Sequence, residues 1–165
     1  MNKIYQKLNE KIATSGAVTR FLFNRGIAVK TANMARGYNT HWFYDNVVFN
    51  KVRQQIGLDR LAICISGSAP LTPEVLTFLR CILGNKVVEG YGATETSGAS
   101  LLQMAYDFTT GHVGGPTSCC DLRLEDIPDM NYFHTDKEHN GEPCIARGEV
   151  CFRVCRTCMS LSVGS

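Results

Sequence analysis

The segment from Arg60 to Gly90 reads strand, capped helix, strand, and that order constrains the fold more than any other feature of the chain. RLAICISG at 60–67 is a short continuous apolar run ending in glycine, the signature of a strand buried on both faces. Thr72, Pro73 and Glu74 follow as cap, first-turn proline and dipole-matched acid. The helix they open carries Val75, Leu76, Phe78, Leu79 and Ile82, and Gly84 closes it. KVVEG at 86–90 is the next strand. Strands joined through a helix in this way must be parallel. The predicted fold class is therefore α/β, a partial parallel sheet with a βαβ crossover.

Parallel strands send the loops that follow them to one edge of the sheet, so GSAP (67–70) and GYGATE (90–95) are predicted neighbours. Ligands of open α/β sheets bind at that edge. The second loop is glycine-rich without being a standard phosphate loop. The chain has no G-x-x-x-x-G-K-[ST], and Glu95 stands where the third glycine of a dinucleotide fingerprint would be. A carboxylate there repels a bare phosphate but suits one carrying Mg²⁺, which prefers oxygen ligands. Tyr91 offers a flat ring to a base, Gly92 lets backbone approach, and Thr94 offers a hydroxyl and an N–H to an anion. Ala69 and Pro70 are thin enough to admit a planar ring. Taken alone, these residues fit a nucleotide site and a pair of ordinary strand-to-loop turns equally well.

EGYGATET (89–96), with SGSAPL (66–71) before it and GHVGGP (111–116) after it, resembles the ATP-dependent adenylate-forming superfamily, specifically the long-chain fatty acyl-CoA synthetases. WFYDNVVFNKVRQQIG (42–57) resembles that family's helix before its SGSAPL strand. IPDMNYFHTDKEHNGE (127–142) resembles the loop ahead of its GE-x-C-x-RG segment. The resemblance is strong over residues 40–153, so 1–153 are expected to be part of an AMP-binding domain and 154–165 an atypical tail. It implies that a fatty carboxylate attacks the α-phosphate of Mg-ATP, and that the thiol of coenzyme A then displaces AMP from the acyl-adenylate. It implies that Tyr91 stacks on adenine, Ala69 and Pro70 flank that ring, Thr94 holds the α-phosphate and Glu95 ligates Mg²⁺. Thr94 and Glu95 are thus the catalytic candidates, while Gly67, Ser68, Glu89, Gly90, Gly92 and Ala93 shape the nucleotide pocket.

Several parts of the family pattern are missing from these 165 residues. They are the serine/threonine/glycine-rich phosphate loop, the later aspartate that holds the ribose hydroxyls, the arginine after it, and the small C-terminal domain with its lysine. The chain reads as an internal piece of the large domain, expected to expose apolar faces and open strand edges and to make no acyl-CoA by itself. A non-catalytic nucleotide-binding or scaffold module is the alternative from another class, and an adenylate-forming ligase for another carboxylate is the alternative within the superfamily.

Elsewhere, Ile4, Leu8, Ile12, Val18 and Leu22 recur at helical spacing and predict one amphipathic helix from Lys3 to about Asn24, with Lys7 and Lys11 opposite. A second helix is predicted from His41 to Ile56, with Trp42, Val47, Val48, Val52 and Ile56 on one face. Downstream come a glycine-rich turn at 109–119, a strand at 121–126, a polar insertion at 127–143 and a last strand at 147–154. His112 reads as a loop residue rather than a general base, and His134 and His139 as solvated rather than metal-bound.

A net charge of +2 is too small to argue for nucleic acid. Charge is nonetheless uneven: Lys3, Lys7, Lys11, Arg20, Arg25, Lys30 and Arg36 face Glu10 alone in residues 1–44, a pattern suited to an anionic surface. It also resembles a transit peptide, except that Gly16, Gly26 and Gly37 break it. No apolar run is long enough to span a bilayer. Eight cysteines without a signal peptide or an N-x-S/T site point to reduced thiols, in a protein that is cytoplasmic or peripheral on an intracellular membrane and not secreted. Neither C-x3-C-x2-C at 151–158 nor the adjacent Cys119 and Cys120 has the surroundings of a metal site.

Overall fold

The computed structural model describes residues 2–96 and 98–154, except for the side chains of Glu142 and Val154. The tail from 155 on, with Cys155 and Cys158 of the spaced cysteines, lies outside the described residues. The chain divides into two compact units. Among the described residues, one takes 2–91 together with Leu102–Gly114; the other takes Gly92–Leu101 together with 115–154.

The first unit opens with α1 (Asn2–Ala13) and α2 (Ala17–Met34), where the sequence predicts a single helix. The break falls at Thr14–Ser15–Gly16, where the Thr14 and Ser15 hydroxyls turn back onto the carbonyls of Glu10, Lys11 and Ile12 and so compete with the helix for its last acceptors. Gly26 does not break α2. A side chain there would press on the Tyr44 and Phe49 rings, so the glycine lets two elements touch.

The second predicted helix appears as α3 (Trp42–Tyr44), a π-helical turn over Asp45–Phe49 and α4 (Asn50–Gln55). The wider π turn rotates the stripe, so Val48 and Phe49 are buried while Trp42 is 81% exposed. Asp45 anchors this bend, accepting from Lys30 Nζ at 2.7 Å and from the His41 N–H at 2.8 Å.

β1 (Cys64–Ser66), α5 (Pro73–Leu83) and β2 (Val87–Ala93) form the predicted βαβ unit, and β1 and β2 pair in parallel with Ser66 opposite Glu89. β1 is shorter than predicted and is not buried on both faces. It is an edge strand whose Ile65, like Ile63 before it, is half exposed. The Thr72 hydroxyl makes no cap hydrogen bond; its carbonyl accepts the Leu76 N–H at 3.1 Å. Leu76, Leu79 and Ile82 of α5 are fully buried with Phe49, Phe23, Leu8 and Val87. Each such side chain contributes about 1.5–3 kcal/mol, so α5 is the spine of this core.

The second unit holds β3 (Gly98–Leu102) as far as Leu101, β4 (Gly115–Pro116) and β5 (Cys120–Glu125). The polar insertion folds into a 3₁₀ turn at Pro128–Met130 and a two-residue hairpin, β6 (Glu138–His139) with β7 (Glu142–Pro143). β8 (Glu149–Val154) returns antiparallel to β5, with Leu122 opposite Phe152.

Candidate functional site

In the first unit the loop after β1 hangs from a buried hydrogen-bond network. Glu89 of β2 is only 5% exposed, and its Oε1 accepts the Leu71 N–H at 2.9 Å. Its own N–H donates to Gln103 Oε1 and its carbonyl accepts the Gln103 N–H, both at 2.9 Å. The same Gln103 oxygen accepts Arg80 Nη2 at 2.8 Å. Arg80 also donates from Nε to the Val87 carbonyl and from Nη1 to that of Thr109. Burial pushes the Arg80 guanidinium below its ordinary value, and the carboxylates of Asp107 and Glu89 oppose that shift. One buried cation thus ties α5, β2 and the 103–112 loop together.

Against this frame Gly67, Ser68, Ala69 and Pro70 are exposed while Leu71 is buried. A Cβ on Gly67 would lie 3.2 Å from the Gly90 carbonyl, so the loop passes close to the middle of β2, which runs on through Tyr91, Gly92 and Ala93 where the sequence predicts a loop from Gly90. Ser68 adopts φ 68°, a left-handed conformation that costs a non-glycine residue about 1–2 kcal/mol. Tyr91 follows Gly90 with its side chain 46% exposed.

His112 sits within the 103–114 loop. Its Nδ1 accepts the Gly114 N–H at 3.1 Å, which places the proton of the neutral ring on Nε2, 2.6 Å from Thr109 Oγ1. The Thr109 hydroxyl lies 2.6 Å from Asp107 Oδ1 and holds that carboxyl below its usual range. Both ring nitrogens are therefore engaged inside their own loop.

In the second unit, Thr94, Glu95 and Thr96 form a 3₁₀ turn. Thr96 Oγ1 accepts the Ala93 N–H at 3.0 Å and lies within donating distance of the Ala93 and Gly98 carbonyls. A Cβ on Gly92 would collide with the Gly98 carbonyl, so only glycine allows this closure. Thr94 and Glu95 are exposed on the turn, and the Glu95 carboxylate makes no hydrogen bond or ion pair with a described residue. A hydroxyl and a carboxylate oxygen are donors that fit a hard divalent cation.

Residues 12–156 match the family model described as AMP-binding enzyme. The chain belongs to the AMP-binding enzyme family. It is 38% identical over 152 residues to the peroxisomal long chain acyl-CoA synthetase 6 of Arabidopsis thaliana, covering 92% of this chain and 21% of that protein. It is 39% identical over 155 residues to fatty acyl-CoA synthetase A of Dictyostelium discoideum, covering 92% and 22%. With long-chain-fatty-acid–CoA ligase 5 of Rattus norvegicus it shares 37% over 153 residues, covering 91% and 21%. The chain therefore spans about a fifth of the length of these relatives.

In this AMP-binding enzyme chain the sequence candidates separate by setting. Gly67–Pro70 and Gly90–Tyr91 are brought together in the first unit, and in the second Gly92 and Ala93, the last residues of β2, lead into the turn that carries Thr94 and Glu95. Glu89 stands apart, because its carboxylate is buried and committed to the Leu71 N–H. Sequence reasoning missed Arg80, Gln103 and Thr96. Arg80 did leave a signal: a cation between Leu79 and Cys81, in the run that buries α5.

Proposed function

We propose that this chain supplies the adenine-facing and α-phosphate-facing loops of an AMP-forming long-chain fatty acid–CoA ligase, with residues 1–153 lying in its AMP-binding domain. In that reaction a fatty carboxylate attacks the α-phosphate of ATP, releasing pyrophosphate, and the thiol of coenzyme A then displaces AMP from the acyl-adenylate. The relatives named above support the reading. The observation that carries it is the Glu89 hook on Leu71, which sets the exposed 67–70 loop beside Gly90 of β2, next to Tyr91 in the same strand. Tyr91 stacks on adenine, with Ala69 and Pro70 as thin walls and Gly67, Ser68, Glu89 and Gly90 shaping them.

Gly92 and Ala93 lead into the turn where Thr94 holds the α-phosphate and Glu95 ligates Mg²⁺. The metal would neutralise phosphate charge there. Titration calorimetry of the chain with ATP and Mg²⁺ tests the assignment. Binding that is weakened by Glu95→Ala only when Mg²⁺ is present supports it; wild-type binding indifferent to both Mg²⁺ and Glu95 overturns the Mg²⁺ role.

A second reading, peripheral association with an anionic membrane, is favoured by the α1–α2 region. Val18 and Phe21 are 73% and 69% exposed, with Arg20 and Arg25 on the same helix. Lys7 and Lys11 border an apolar groove of about 330 Å³ along α1. No described helix is long and apolar enough to cross a membrane. Flotation with anionic vesicles should be salt-sensitive and lost on charge reversal at Lys7 and Lys11; flotation indifferent to salt contradicts it.

A further inference from the structure

The turn leading into β5 carries two adjacent cysteines. Cys119 and Cys120 are both half-buried and neither is in a disulfide. The Thr117 hydroxyl oxygen lies 3.1 Å from Cys119 Sγ and 3.6 Å from Cys120 Sγ. Consecutive residues of a strand send their side chains to opposite faces, yet here both sulfurs reach one oxygen. The reason is local: Cys119 is still in the turn, which closes through the Cys120 N–H on the Thr117 carbonyl at 3.2 Å, and only Cys120 begins β5. Cys120 Sγ also reaches the carbonyl of the buried Ser100, at 3.1 Å.

We propose that Cys119 and Cys120 form a dithiol site for a soft, thiophilic acceptor of the trivalent arsenical class. With an arsenoxide, each sulfur forms one bond to arsenic. The two thiol protons leave with the oxo oxygen as water, and arsenic remains trivalent, so no electron is transferred. Capture takes the Cys120 thiol from the Ser100 carbonyl, which keeps the Thr117 N–H as a donor at 2.8 Å.

Other thiols are less suited. Cys81 is fully buried, and burial pushes its thiol up, as it does that of Cys64. Cys155 and Cys158 are a second closely spaced pair in the sequence and are replaced by serine for the test.

Phenylarsine oxide is titrated into the Cys155→Ser/Cys158→Ser chain, with intact mass and peptide mapping as readouts. One arsenical should bridge Cys119 and Cys120, resist a monothiol and leave with a dithiol. Cys119→Ser and Cys120→Ser should each weaken binding at least about a hundredfold through loss of the chelate. Cys120→Ser keeps a hydroxyl donor for Ser100, so its fold is retained. Equal affinity in either single variant, or an adduct mapped to other cysteines, overturns the proposal. Equal affinity of the urea-unfolded chain overturns the role of the folded turn in presenting the pair.

Discussion

The carboxylate of Glu89 accepts the backbone N–H of Leu71 at 2.9 Å, in a part of the first unit where both residues are buried. Replacing Glu89 by alanine leaves that N–H without its acceptor, at a cost of about 1–3 kcal/mol. Glu89→Gln retains an oxygen and should lose clearly less. Urea unfolding of the two variants separates the acceptor's contribution from the charge.

Arg80 and Gln103 meet at 2.8 Å and should behave as one device. Arg80→Met removes donors from the Val87 and Thr109 carbonyls as well as from Gln103, and about 2–4 kcal/mol is expected to go with them. Gln103→Ala should cost less once Arg80 is gone than in the wild type, without vanishing, because Gln103 Oε1 still accepts the Glu89 N–H. A double-mutant cycle with a coupling energy near zero would contradict a shared network.

Gly92 and Thr96 close the turn that carries Thr94 and Glu95. Gly92→Ala forces a methyl into the Gly98 carbonyl and should destabilise by about 1–3 kcal/mol. Thr96→Val keeps the shape but loses the acceptor for the Ala93 N–H, so about 1 kcal/mol is expected. Both should raise hydrogen exchange at residues 92–96, whereas Ser68→Gly, which relieves a left-handed serine, should leave stability unchanged or higher.

The Asp107 carboxyl is held below its ordinary value chiefly by the Thr109 hydroxyl. A depressed folded-state pKa means that the unfolded chain binds the proton first, so the stabilisation is present above the unfolded value of about 3.9 and is lost as pH falls through the folded one. The difference in urea midpoint between wild type and Asp107→Asn should be constant above about pH 5 and shrink below about pH 4. A difference that grows on acidification would reverse the assignment.

The βαβ unit was legible because each of its signals is local: an apolar run, Pro73 and Glu74 in a first turn, and glycine at the helix end. The split between α1 and α2 was not, because Ile12, Val18 and Leu22 carry the apolar pattern across it while the side chains of Thr14 and Ser15 decide the break. The exposure of Trp42 depends on a π turn that helical spacing cannot register. Although the structure extends β2 through Ala93 where the sequence reads a loop, the residues from Gly67 to Pro70 and from Tyr91 to Glu95 stand out by composition. Gln103 and Thr96, which hold those segments in place, do not, since an isolated glutamine or threonine acquires a role only through partners the fold brings to it.

The most direct test of the account is titration calorimetry with a non-hydrolysable acyl-adenylate analogue in place of ATP. The chain is expected to bind it, and Tyr91→Ala should weaken binding by the loss of one base–aromatic stack, about 1–3 kcal/mol or roughly ten- to a hundredfold. Wild-type binding that Tyr91→Ala leaves unchanged, or no binding by the folded wild-type chain, would contradict the claim that these loops receive an adenylate.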